Sequence, residues 1–312
     1  MLAAVIVAGT ACGAAATAGP NGSAGATPPT ASAAEPSIAS AASPSTPSTA
    51  APSTSSTATP TTAAATEPPT PAPTPTVVRT ERPTSTPQPT ARSAKYTTLP
   101  PSATLPTDQQ CASEASSDPW EPRPDNRAPN LTNAWSQGFR LRGSYLAATA
   151  PGYEERVTGN FTGTTDQILR WAACKWGFDE DDVRAQAVIE SYWRQSLLAD
   201  CRGTTQPETN GCASVGLLAV KGADIPATHP GTWPAARTST AFNVDYALAV
   251  RRLCYDGKET WMRQFNATYA AGDVWGCIGR WFSGRWHDPN AETYIQRVRA
   301  TLSARTWLSS SF

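Results

Sequence analysis

Before position 108 the chain has a single aromatic side chain, Tyr96, while all 11 Trp, all 7 Phe and the other 7 Tyr lie beyond it. Prolines run the other way, 19 of 29 falling before that point. Ordering a backbone costs roughly 1–2 kcal/mol per residue, and a segment without large apolar side chains has nothing to offset it. A packed core is therefore excluded from the first third of the chain. Long hydrophobic runs are also missing: the longest, near the start, is well short of the ~20 residues a membrane helix needs. The 25 basic and 25 acidic residues balance to a net charge of zero with no polybasic run, which excludes the electrostatic footprint of a nucleic-acid binder. Only two histidines are present, His229 and His287, and no CxxC spacing, so a thiolate or imidazole metal site is not expected.

Residues 2–11, LAAVIVAGTA, suit the apolar region of a secretion signal and end at Cys12. The run Gly9-Thr10-Ala11-Cys12 resembles the lipobox of bacterial lipoproteins, which implies lipidation of Cys12 and attachment to a membrane through that lipid. Gly9 stands where an aliphatic is usual, and no Lys or Arg precedes the run. A plain cleaved signal and a retained anchor are the alternatives. The expected location is outside the cytoplasm, in the cell envelope or secreted. From Gly13 to Thr107 the sequence is repetitive Thr, Pro, Ala and Ser. Such tracts favour extended polyproline II at about 3.1 Å per residue, so this part reads as a disordered spacer. The expected division is a leader over 1–12, a linker over 13–107 and one globular domain over 108–312, in monomeric form.

Apart from Cys12, six cysteines remain, all in the folded part: Cys111, Cys174, Cys201, Cys212, Cys254 and Cys277. An even set behind a secretion signal reads as three disulfides in an oxidising compartment. Fifteen connectivities are open to six cysteines. The favoured one joins Cys201 to Cys212 across a polar loop, Cys254 to Cys277 between two helices, and Cys111 to Cys174 to pin the N-terminal segment.

Helical periodicity carries most of this domain. Thr164-Thr165-Asp166 caps a run with Ile168, Trp171, Ala172 and Lys175 at helical spacing, stopped by Gly177. A second helix opens on Asp179–Asp182 and is expected to reach about Leu198. Residues 201–240 are rich in Gly, Pro and Thr around one apolar island, SVGLLAVK, which suits a short strand or turn. A third helix begins at Ser239-Thr240 and ends near Gly257, a fourth is expected over Glu259–Tyr269, and a last one opens at Asp288-Pro289-Asn290 with Tyr294, Ile295, Val298 and Leu302 at core spacing. The class is α+β, mostly α.

Glu190, in AVIESYW, lies at the edge of an apolar face whose helical neighbours are Val183, Gln186, Ala187 and Trp193. A carboxyl pressed against such surroundings has its pKa raised and can hold a proton near neutrality, which is what a glycosidic acid requires. The bland reading is a border residue paired with Arg194 four positions on. Trp193, Trp281, Phe282 and Trp286 can either stack on sugar faces or pack in the core. His229 and His287 read as exposed and structural.

The order of motifs resembles the soluble lytic transglycosylase family, relatives of goose-type lysozyme, over about residues 165–300. Glu190-Ser191 matches its catalytic Glu-Ser. Ser214-Val215-Gly216-Leu217-Leu218-Ala219-Val220 matches its Ser-x-Gly-Leu-Met-Gln-Val, Asn243 its Asn-initiated helix, and Tyr294-Ile295-Gln296-Arg297-Val298 its Tyr-Val-x-x-Val. HPGTWPAARTSTAFNVDYALA and GCIGRWFSGRW look like a secreted subgroup of that family. The resemblance implies a lysozyme-like fold and Glu190 as the single catalytic residue. Ser191, Ser214, Gly216, Leu217, Asn243, Trp281 and Tyr294 would be its substrate-binding residues, with peptidoglycan glycan strands as the partner and no cofactor. The implied reaction is cleavage of the β-1,4 bond between N-acetylmuramic acid and N-acetylglucosamine with a 1,6-anhydro product. The same residues could activate water instead, as in a muramidase. Ala219 stands where the family has Gln, and the alternative class is a wall-binding or structural module with weakened catalysis.

Overall fold

A computed structural model describes residues 96–117, 119–201, 211–222 and 229–312. The leader, Cys12 and nearly all of the expected linker lie outside these residues. Ten α-helices are present among them: α1 Asp108–Ala115, α2 Arg127–Asn130, α3 Tyr145–Thr149, α4 Pro151–Arg156, α5 Thr165–Trp176, α6 Glu180–Ser191, α7 Ala235–Thr238, α8 Thr240–Tyr255, α9 Val274–Ser283 and α10 Pro289–Ala304. Three short strands, β1 Leu198–Cys201, β2 Cys212–Val215 and β3 Val220–Lys221, form one antiparallel sheet in the order β1-β2-β3, with Leu198 opposite Val215 and Val215 opposite Val220. The class is thus mostly helical with a small β portion.

The helix ends follow local chemistry. Thr164 and Gln167 form a capping box at the start of α5, and Gly177 closes it in the left-handed conformation. Asp179 caps α6 by accepting from the Asp181 and Asp182 amides, Ser239 caps α8, and Asp288 followed by Pro289 opens α10. α5 and α8 pack at the centre, and α10 lies against both α6 and α9. Trp171, Trp176, Phe178, Phe242 and Tyr246 fill the space between them, all at most 1% exposed.

Four expectations are corrected. The second helix stops at Ser191, seven residues before Leu198: Tyr192 and Trp193 both take left-handed backbone, at φ 56° and 58°, and the reversal carries the Trp193 ring into the core, where its Nε1 donates to the Arg184 carbonyl at 3.0 Å. The expected helix over Glu259–Tyr269 shrinks to a 3-10 turn at Thr260–Gln264, and the helix in this region is α9. Its sequence, VWGCIGRWFS, carries two glycines, which weaken a helix in isolation. Gly279 is required by packing, because a Cβ there would stand 2.9 Å from Ala291 and Ile295 of α10. The linker boundary also moves, since residues 96–107 are bound to the domain: the Leu99 amide donates to the Gly177 carbonyl at 3.0 Å and the Ser102 amide to Asp256 at 2.7 Å. Finally, His229 is 5% exposed rather than on the surface.

The three disulfides are Cys111–Cys174 between α1 and α5, Cys201–Cys212 across the paired strands β1 and β2, and Cys254–Cys277 between α8 and α9. Thiol labelling of the denatured, unreduced chain is expected to modify none of these six cysteines, and two or more labelled sites among them would contradict the pairing.

Candidate functional site

Glu190 sits in the last turn of α6, where the chain leaves the helix for the sheet, and it is half-buried. Its partner is not Arg194. That guanidinium lies over the Tyr192 ring, 5.6 Å from its centre. Instead the Tyr294 hydroxyl, from α10, donates to Glu190 Oε1 in a short hydrogen bond. Gln186, one turn before Glu190, hydrogen-bonds the same hydroxyl, and its Oε1 accepts from Arg251 Nη1 of α8 at 3.3 Å. Arg251 is itself 3.8 Å from Asp182. Asp182, Gln186 and Glu190 are four residues apart and form one stripe on α6. α8 and α10 therefore hold the acid through one continuous chain of polar contacts.

Burial pushes the Glu190 carboxyl up to about 7, and the negative charge of Asp200 on β1 adds to this. The Tyr294 hydrogen bond and the Arg297 guanidinium act in the opposite direction and do not cancel it. Tyr294 is driven well above the ordinary phenol value by burial and by the neighbouring Glu190, so it keeps its proton and remains a donor. Near neutral pH the site thus holds a partly accessible carboxyl able to carry or release a proton.

Ser191, Gly216, Leu217 and Asn243 are buried, and they build the turn that joins β2 to β3. Asn243 donates to the carbonyls of Val215 at 2.9 Å and Ala236 at 2.8 Å, and accepts from the Leu218 amide at 2.8 Å. Ser191 Oγ donates to the Leu217 carbonyl at 2.8 Å, and Trp281 Nε1 to that of Leu218 at 3.1 Å. Gly216 has φ +79°, and a Cβ on it would stand 2.2 Å from Asn243 Nδ2, so only glycine permits this approach. The Ser191, Asn243 and Trp281 side chains thus spend hydrogen-bonding capacity on the backbone of this turn and of Ala236. Ala219, half-buried with φ 49°, follows this latched segment. Ser214 Oγ, on β2, donates to Asp200 at 2.6 Å.

The aromatic candidates separate by exposure. Trp193 and Trp286 belong to the core, at 0% and 4%. Trp281 is partly buried and stacks on the His229 ring at 5.2 Å. Phe282 is 48% exposed and lies parallel to the ring of Tyr294, the residue whose hydroxyl holds Glu190, at 4.8 Å. His229 is pushed down to about 3, mostly by burial, with Arg280 and Lys221 adding to the effect. It is a neutral ring whose Nδ1 meets the Tyr246 hydroxyl at 3.0 Å. His287 is bracketed by Asp273 and Glu292. Burial works against its charge, but these two carboxylates prevail and raise its pKa.

Sequence reading did not find Asp200, Arg251 or Gln195. Gln195 accepts from the Leu217 amide at 3.0 Å and donates to the Ala236 and Arg237 carbonyls at 2.9 and 3.0 Å. A polar residue in an expected helix gave no hint of that role. Gln186 is a neighbour of Glu190 by its four-residue spacing, but its hydrogen bond to Tyr294 of α10 has no signal in the sequence. Among the described residues no three His, Cys, Asp or Glu side chains converge where a metal ion could sit. Compared with known proteins, the chain matches no family model, no curated protein and no solved structure.

Proposed function

We propose that the domain cleaves the β-1,4 bond between N-acetylmuramic acid and N-acetylglucosamine in peptidoglycan, with Glu190 as the general acid. The observation that carries this reading is the Glu190 carboxyl itself: pushed up to about 7, partly accessible, and fixed by the Tyr294 hydroxyl. A glycosidic oxygen leaves only when protonated, and a carboxyl with a pKa near neutrality is suited to supply that proton. Phe282, about half exposed and stacked on Tyr294, supplies an aromatic surface of the kind on which sugar rings pack their C–H faces. The motif resemblance in Glu190-Ser191, the 214–220 segment, Asn243 and Tyr294 supports the same substrate class.

In this mechanism Glu190 donates to the leaving oxygen while the substrate's acetamido group stabilises the developing charge. Glu190, now a base, then draws the muramyl 6-hydroxyl onto the anomeric carbon, giving a 1,6-anhydro end. Tyr294 holds the carboxylate in place through both steps. Asp200 favours a second outcome. It is exposed and takes left-handed backbone at φ 55°, and its charge is felt by Glu190. A second carboxylate beside the acid is what a hydrolase uses to draw in water. Product mass separates the two, since a hydrolytic end carries one more water than an anhydro end.

The pH dependence has a definite sign. Glu190 must be protonated for the first step, so turnover is expected to be sustained below about pH 7 and to fall about tenfold per unit well above it. Release of soluble glycan measured from pH 5 to 9 checks this, and a rate that rises through pH 8 would contradict the role of Glu190 as acid.

A further inference from the structure

On α9, on α10 and at their ends the other arginines are engaged. Arg280 pairs with Glu259 at 2.5 Å, Arg285 lies over the Phe265 ring at 3.8 Å, Arg299 over Trp275 at 4.5 Å, and Arg305 pairs with Asp181 at 2.7 Å. Arg297 differs. It is exposed on α10, one helical turn after Tyr294, and among the described residues it makes no hydrogen bond, ion pair or ring contact. Spacing of three residues puts it on the same side of the helix as the hydroxyl that holds Glu190, and its charge reaches that carboxyl.

We propose that Arg297 is the carboxylate receptor of the Glu190 site, binding an acidic group that the glycan carries next to the bond to be cleaved. This rests on the function proposed above and deepens it. A guanidinium offers a planar fork of donors that matches a carboxylate in two parallel hydrogen bonds. Left free, it works against its neighbour, because a cation beside a general acid favours loss of the acid's proton. Pairing with a substrate carboxylate neutralises that influence at the moment the proton is needed. The neutral sugar backbone has no such group; the muramyl unit does, either as the lactyl carboxylate of peptide-free strands or as the carboxylates of an attached peptide.

The test is binding selectivity, measured by calorimetry on the full chain carrying Glu190→Gln so that no turnover intrudes. Three probes of equal sugar length are compared: peptide-stripped muramyl oligosaccharides, peptide-bearing ones, and chitin oligosaccharides, which have no carboxylate. Adding Arg297→Gln is expected to weaken at least one carboxylate-bearing probe about tenfold relative to chitin oligosaccharide, and Arg297→Lys to recover part of the loss. Loss on the stripped probe assigns the lactyl group, and loss confined to the peptide-bearing probe assigns the peptide. Equal weakening of all three, or none on either acidic probe, overturns the proposal while leaving the function intact. No binding of any probe before Arg297 is changed overturns both.

Discussion

Glu190→Gln is expected to abolish glycan cleavage, by about 10²–10⁴-fold or more, while the fold and glycan binding persist. Gln keeps the length of the side chain and an oxygen that can accept from Tyr294, but it has no proton to release. A structural role for Glu190 predicts something else: a small stability change and undiminished turnover. The linkage sign helps to separate the two. Burial raises the Glu190 pKa in the folded state, so the folded protein holds this proton more tightly than the unfolded chain. Stability from this group is present at low pH and is lost as pH rises from the ordinary carboxylate range through about 7. Above that the ionised carboxylate is a burden on the fold, and the Gln variant should melt no lower than the parent at pH 8. Loss of activity with an unchanged or higher melting temperature is the expected pair of results. A well-folded Gln variant that still cleaves glycan would falsify the assignment.

Asp245→Ala is expected to cost about 3–5 kcal/mol of stability, as breaking a buried ion pair from one side does. Asp245 is fully buried on α8. It accepts from Lys175 Nζ at 2.9 Å, Trp176 Nε1 at 2.7 Å and the amides of Thr158 and Gly159 at 2.9 and 2.8 Å. Truncation removes a partner from a buried ammonium and from three donors, the Trp176 indole and the Gly159 amide being buried and the Thr158 amide partly so. Asp108, 2.7 Å from Lys175 and partly exposed, relieves only the ammonium. Denaturant unfolding measures the loss; a change below about 1 kcal/mol would mean that water reaches this cluster. Asp245→Asn keeps an acceptor for Trp176 and should fall between.

The candidate site is legible where one residue type in one local pattern carries the physics. Glu190 among Val183, Ala187 and Gln186 announces a carboxyl under desolvation, and Tyr294 falls at the core spacing of its helix. The disulfides follow from pairing a loop, two helices and an N-terminal segment. What stayed hidden depends on contacts between segments distant in the chain. α9 is obscured by two glycines, of which Gly279 answers to the close approach of α10 at Ala291 and Ile295 and Gly276 to that of Trp286 and His287. Asn243 and Ser191 were expected at the substrate, yet their donors and acceptors serve the backbone of the 215–218 turn, which no spacing rule reveals. VRAQAVIESYWRQSLL has no helix breaker, so local propensity alone extends α6 towards Leu198, whereas in the fold the chain turns at Tyr192 and buries Trp193. His229, beside a proline, reads as exposed, and it is buried among Tyr145, Tyr246 and Trp281, rings from three segments distant in the chain.

Mass spectrometry of the material released from purified peptidoglycan by the intact chain at pH 6, with Glu190→Gln as the parallel control, tests the central claim most directly. The expected result is muramyl-containing fragments from the parent and none above background from the variant, with anhydro ends if Glu190 acts alone and ends heavier by one water if Asp200 directs a water molecule. Fragments released equally by the folded variant, or no glycan fragments from the folded parent, would contradict it.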